Sequence, residues 1–234
     1  MQFVADNLFA LPETQKLLAD EWSVVRQRAA RVAAGPALSL SPLRRVDEAL
    51  LPTHSRMVCL DLDDAGWSGD VRCALSSLPI ESESIQLVVV RHIFEFLDPA
   101  CGVEAELARV LAPGGLLLVF GLNPLSPWRL WCSRHARSGM RRPRARSASQ
   151  VRRLLASENL DLAVDEFVGG AWPSKPGTLH VDSGAGHGAR WHGAWLLSAR
   201  KQRVAGRLVR LPGNRQRSVI QPGFVQAPSR RAGQ

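Results

Sequence analysis

Three places in this chain carry side chains that could do chemistry. The first is Arg91 and His92, which directly follow the apolar run 85–90. An imidazole there can act as a general base or orient a substrate, because its charge changes near neutral pH. The plainer alternative is a histidine hydrogen-bonded at a strand end, and Glu95 reads as a helix or salt-bridge residue. The second place is the acidic group Asp61, Asp63 and Asp64 at the end of MVCLDL. A carboxylate is suited to holding two neighbouring hydroxyls at once; a solvated acidic loop is the alternative. The third is Asn123 and Pro124 with Trp128 and Trp131 behind them, a turn first and the rim of a pocket second. His180, His187 and His192 lie close in sequence without a ligand spacing, so no metal is expected. The four cysteines are scattered, with no C-x-x-C pair, and read as buried free thiols in a reducing compartment.

Such groups need elements to position them. Residues 85–90 and 115–121 are unbroken apolar runs, the pattern of parallel strands covered on both faces. Between them, Val103, Leu107, Val110 and Leu111 recur at helical spacing, and Pro113-Gly114-Gly115 is expected to end that helix. Strand, helix, strand makes a βαβ unit. Ligands of open α/β sheets bind beyond the carboxyl ends of the strands, where residues 91 and 92 fall. Upstream, residues 8–34 carry Leu17, Leu18, Trp22, Val25 and Ala29 on one helical face, with Gly35-Pro36 as the stop. Strands are expected at 37–41, 57–62, 71–75, 162–167 and 192–200. Helices are expected at 43–51 and 126–135, and a third runs to Leu155 behind a Ser147 or Ser149 cap. The glycine-rich stretch 179–188 reads as a hairpin between the last two strands.

LPIESESIQLVVV followed by ELARVLAPGGLLLVFG resembles class I S-adenosylmethionine-dependent methyltransferases of the methyltransferase type 11 kind. GLNPLSPWRLW resembles a bacterial branch with a Gly-Phe-Asn-Pro-x-Ser-x-Trp turn, and RHIFEF is similar to that branch's P-H-x-L-E-F pattern. The resemblance covers roughly residues 8–201. It implies an α/β, Rossmann-like methyltransferase fold: a mostly parallel seven-stranded sheet in the order 3-2-1-4-5-7-6, with helices on both faces and an antiparallel closing strand in GAWLLSARK. The implied cofactor is S-adenosyl-L-methionine. Its methionine part would lie at the turn Ser39, Leu40 and Ser41, its ribose on Asp61 or Asp63, its adenine beside Ala74 and Leu75, with Arg91 also lining the site. His92 would be the catalytic residue, and Asn123 and Trp128 would face the acceptor. The chain departs from the family at the first turn. ALSLSPLRR has neither the acid nor the glycines of D-x-G-x-G-x-G, and Pro42 fixes φ and removes a donor. At Ala74 and Leu75 the family often has an acid.

Charge is divided unevenly. The net charge is +9, yet residues 134–153 hold eight arginines and residues 200–234 nine arginines or lysines, with no acid in either. What remains has 13 basic and 21 acidic residues, a net of −8. The expected organisation is a methyltransferase-like domain over 1–201, with 1–35 as a helical lead-in, and a basic disordered tail over 202–234. Arginine-rich segments attract anions, nucleic acid or acidic membrane by charge alone. With Phe224 as its one aromatic residue, the tail offers no stacking platform. No basic stretch leads into an apolar core at the amino end, and no apolar run reaches the ~20 residues of a membrane span, so a cytoplasmic protein is expected. The leading expectation is methyl transfer to an unidentified small acceptor. The alternatives are a methyltransferase-like scaffold without cofactor, and an RNA-binding or RNA-modifying protein.

Overall fold

The computed structural model describes residues 8–43, 51, 56–98, 101–136, 142–163, 166–173 and 191–202. The first helix starts where a proline can stand without loss: α1 spans Pro12–Ala29 after one 3-10 turn, Leu8–Ala10. The N–H that Pro12 lacks would be unpaired at that position anyway. Thr14 Oγ1 donates back to the carbonyls of Leu8 and Leu11 (2.9 and 2.8 Å) and ties the turn to the helix.

The sheet has a parallel centre. β1 (Pro36–Ser41) lies between β2 (Arg56–Leu62) and β4 (Ile85–Arg91), and β5 (Leu111–Leu122) follows β4, all parallel. Antiparallel strands complete it: β3 (Trp67–Gly69) on β2, β8 (Ala194–Lys201) on β5, and both β6 (Leu160–Leu162) and β7 (Glu166–Val168) on β8. The order is β3-β2-β1-β4-β5-β8-β6, with β7 also on β8. The single expected strand at 162–167 is thus two pieces, and with them taken as one the order is that implied by the resemblance.

Successive residues of the central strands feed two cores. Ala37, Leu87, Val89, Leu118 and Phe120 pack against α1, which contributes Trp22, Val25 and Ala29. Leu38, Leu40, Val88, Val90, Leu117 and Val119 pack on the other face against α2 (Val103–Val110) and α4 (Ala148–Leu155). Each fully buried side chain of this kind contributes about 1.5–3 kcal/mol. Both faces of β4 and β5 are therefore apolar, which is why these two strands read as continuous runs. The remaining helix, α3 (Pro127–His135), contributes Trp128 and Cys132 to a third small cluster with Leu8, Phe9 and Leu122. Ser147 caps α4 in a reciprocal capping box with Gln150.

Two expectations need correction. Residues 71–75 do not form a third parallel strand; they hold one isolated bridge, Cys73 to Trp67. The chain leaves β2 through a tight turn in which Asp63 Oδ1 accepts from the Ala65 and Gly66 N–H groups (2.7 and 2.9 Å). A turn that short can join only antiparallel strands, since a parallel partner needs a crossover of roughly a dozen residues. Nor does Pro113-Gly114-Gly115 end the helix. α2 stops at Val110, and the three residues lie within β5, where the register against β4 shifts between Ile85 and Leu87. Gly114 takes φ +81° there. The helix expected over 43–51, the hairpin at 179–188 and the tail beyond residue 202 lie outside the described residues.

Candidate functional site at the carboxyl edge

Four strand ends meet at one edge of the sheet. Register places Ser41 on β1 directly beside Asp61 on β2. Asp61 is half-buried and lies against Gly69 of β3, a residue at φ +120°. Asp63 has one oxygen committed to the turn it builds. The two acids that the sequence leaves equivalent therefore sit in different surroundings.

Arg91 and His92 turn inward. Both are completely buried. Arg91 Nη2 donates to Ser41 Oγ (3.2 Å), Nη1 reaches the Leu18 carbonyl (3.5 Å), and the guanidinium stands 5.5 Å from the Trp22 ring. Ser41 Oγ itself donates to the Leu43 carbonyl (2.9 Å). His92 takes φ +51°, a left-handed conformation that lets the chain leave the sheet abruptly while its N–H still bonds Phe120 O (2.9 Å). Its ring stacks on Phe9 at 4.6 Å, with Nε2 on Glu21 Oε1 (2.8 Å) and Nδ1 on Glu95 Oε1 (3.2 Å). Glu95 Oε1 also accepts from the Leu122 N–H (2.6 Å), so this cluster ties α1 to the ends of β4 and β5.

Burial alone would push the His92 pKa down. The charge and hydrogen bond of Glu21, then those of Glu95, outweigh it and raise the pKa to about 9. His92 is an imidazolium at neutral pH, and both nitrogens face carboxylates. So held, both ring nitrogens are engaged by carboxylates, and the ring ties α1 to the ends of β4 and β5. Glu21 Oε2 and Glu95 Oε2 are buried without hydrogen-bond partners. Cys132 nearby is pushed up to about 12 by burial and by the Glu95 charge, which leaves it an inert thiol.

The remaining predicted site residues are spread more widely. Ser39 and Leu40 are buried within β1, Leu40 in the core on the face away from α1. Ala74 is exposed and Leu75 half-buried, its carbonyl accepting from Trp67 Nε1 (3.3 Å). Asn123 is a turn residue: its Nδ2 donates to His192 O (3.0 Å) and its Oδ1 accepts from the Leu125 N–H (3.1 Å). Trp128 is buried, donates to Gly170 O (2.9 Å), and packs so closely on Gly193 that a Cβ there would lie 2.7 Å from its Nε1. The structure thus brings Ser41, Asp61 and Arg91 together. Asn123 and Trp128 fasten the end of β5 to the segment before β8.

Glu21 was not singled out by sequence, yet a signal was there. It lies between Leu18 and Trp22, four residues after Leu17, inside the apolar stripe of α1. A lone acid on a buried helical face requires a partner.

This strand order and parallel centre make a methyltransferase-like Rossmann fold. Residues 32–119 match the family model described as a methyltransferase domain. Solved structures agree on the fold. A methyltransferase of Thermotoga maritima is 15% identical over 80% of this chain and 93% of its own, at a TM-score of 0.51. A chain from the complex of the Haloferax volcanii Trm112 methyltransferase activator with a methyltransferase is 18% identical over 86% and 98%, at 0.52. A methyltransferase of Mesorhizobium loti is 14% identical over 78% and 98%, at 0.51. No curated protein matches the chain.

For the S-adenosylmethionine that methyltransferases of this fold use, the two ends of the edge differ in fit. Asp61, at the end of β2 and beside β1, has the chemistry to take two ribose hydroxyls. At the turn after β1, Ser41 and Arg91 hold one another, and no glycine opens the backbone.

Proposed function

We propose that the chain transfers a methyl group from S-adenosylmethionine to a small acceptor, and that Asp61 holds the cofactor's ribose. The observation that carries this reading is the place of Asp61: one residue from the carboxyl end of β2, level with Ser41, inside a segment that matches a methyltransferase domain. When bound, the cofactor supplies an electrophilic methyl carbon, and most of what a protein adds to such a transfer is position. Here α1, β4 and β5 are cross-tied through Glu21, His92 and Glu95, which fixes the edge against which reactants would be held. Ser41 and Arg91 would line the methionine end; Arg91 would have to exchange its bond to Ser41 for one to the ligand.

A second reading is favoured by that same bond. A first turn closed by Ser41 and Arg91, without glycines, suits a methyltransferase-like domain that binds a partner and no cofactor.

Calorimetric titration of S-adenosylmethionine and S-adenosylhomocysteine into the full chain separates the two. Under the first reading Asp61→Ala weakens binding about tenfold or more, the worth of a charge-assisted hydrogen bond. Asp63→Ala leaves affinity in place and lowers the melting temperature, because two backbone N–H groups lose their acceptor. Absence of binding at millimolar cofactor leaves the second reading standing.

A further inference from the structure

Beyond the end of β5, a cavity of about 550 Å³ opens between α3 and the segment that leads into α4. Its floor includes Leu122 and Pro124, and Arg129, Arg142 and Arg144 stand around it with Ser133. No carboxylate lines it among the described residues. Arg144 makes a long, exposed ion pair with Asp98 at 3.7 Å, of a kind that contributes little. Arg129 and Arg142 have no ion-pair partner among the described residues. Three like charges around one hollow, all on exposed side chains, attract an anion to it.

The arginines stand on a fixed frame. The Arg144 N–H bonds Glu95 O (2.9 Å), Arg146 Nη2 bonds Leu97 O (2.7 Å), and Trp195 Nε1 bonds Arg146 O (2.8 Å). Ser147 and Gln150 then lock the start of α4. Residues 142–147 are thereby laid across the loop that follows β4. The floor is close to the buried cluster: the N–H of Leu122 bonds the same Glu95 oxygen that faces His92.

We propose that this cavity binds a phosphoryl group carried by a larger ligand. A single carboxylate would leave most of this charge unanswered. A phosphoryl group brings close to two negative charges and three acceptor oxygens, the arrangement that guanidinium forks match in pairs. The volume exceeds what a free phosphate needs and falls in the range of small-molecule sites, so the remainder of the ligand has room towards Pro124. That the ligand is the methyl acceptor rests on the methyl-transfer reading; that the cavity takes a phosphoryl group does not.

The test uses the full chain without cofactor, titrated with pyrophosphate and with glycerol phosphate. The expected result is saturable binding that Arg129→Gln with Arg142→Gln weakens about tenfold or more. Arg152→Gln with Arg153→Gln, an equal loss of exposed charge on α4 away from the cavity, leaves it unchanged. Phosphatidylcholine vesicles with and without phosphatidic acid distinguish the source. Sedimentation with the acidic vesicles, reversed by pyrophosphate, identifies a lipid headgroup; binding of the soluble phosphates alone identifies a soluble ester. The proposal is overturned if neither phosphate binds, if both arginine pairs weaken binding equally, or if an oligoribonucleotide lacking terminal phosphates competes more strongly than either ester. Cofactor affinity, measured separately, does not enter these outcomes.

Discussion

His92 shows how the position of a residue can be read from sequence while its partners cannot. Its place after the fourth strand follows from the apolar run before it. Its partners come from residues three and 71 positions away, and the distant one is invisible to any periodicity. The geometry makes a definite statement about pH. The folded-state pKa of about 9 lies above the ordinary 6.5, so the folded state binds the proton more tightly than the unfolded chain does. The resulting stability is present in full below about pH 6.5, declines above it, and is lost as the pH passes about 9. Its size is at most about 3 kcal/mol. The melting temperature should therefore fall between about pH 7 and pH 9.5, and fall less in His92→Gln, which starts lower. Parallel profiles for the two proteins would show that Glu21 and Glu95 do not hold the charge. Asn123 was legible as a turn residue. The turn contacts of Asp63 were not, because they depend on a hairpin that the residues between it and Trp67 do not announce.

Among the elements, the parallel strands were legible and the edges were not. β4 and β5 are covered on both faces, so burial alone spells them out as apolar runs, whereas β1 alternates with the buried Ser39 and Ser41 and carries a weaker signal. β3 is three residues long, too short to carry a pattern, and its antiparallel sense follows from the length of a turn. The contact between β5 and β8 carries a sharper requirement. A Cβ at Gly121 would stand 2.1 to 2.8 Å from three atoms of the fully buried Trp195 ring. Gly121→Ala should cost about 1–3 kcal/mol by forcing that ring to move. Urea unfolding would show it as a lower midpoint at constant slope. Adding Trp195→Leu should recover part of the loss by making room, against the cost of the smaller side chain and the unpaired Arg146 carbonyl. If the double variant is destabilised by the full sum of the two single effects, the residues do not clash as described.

At the scale of the molecule, charge was the most legible property and its use the least. Removing 202–234 takes away seven arginines and no acid, and lowers the net charge from +9 to +2. Full-length protein should bind single-stranded RNA with an affinity that falls steeply with salt, and the chain ending at residue 201 should lose most of it. Equal binding by the shortened chain would move the contact to the arginines of 134–153. The cavity lined by Arg129, Arg142 and Arg144 could not be read from sequence, since α3 and the segment after residue 141 meet only in the fold. The sheet ends on one side in three-residue β3 and on the other in β6 and β7, also three residues each. Among the described residues β3 pairs with Leu60–Leu62 alone and leaves the outer edge of Arg56–Val58 without a strand partner, whereas β4 and β5, the long apolar strands that would template aggregation most strongly, have a strand on either side.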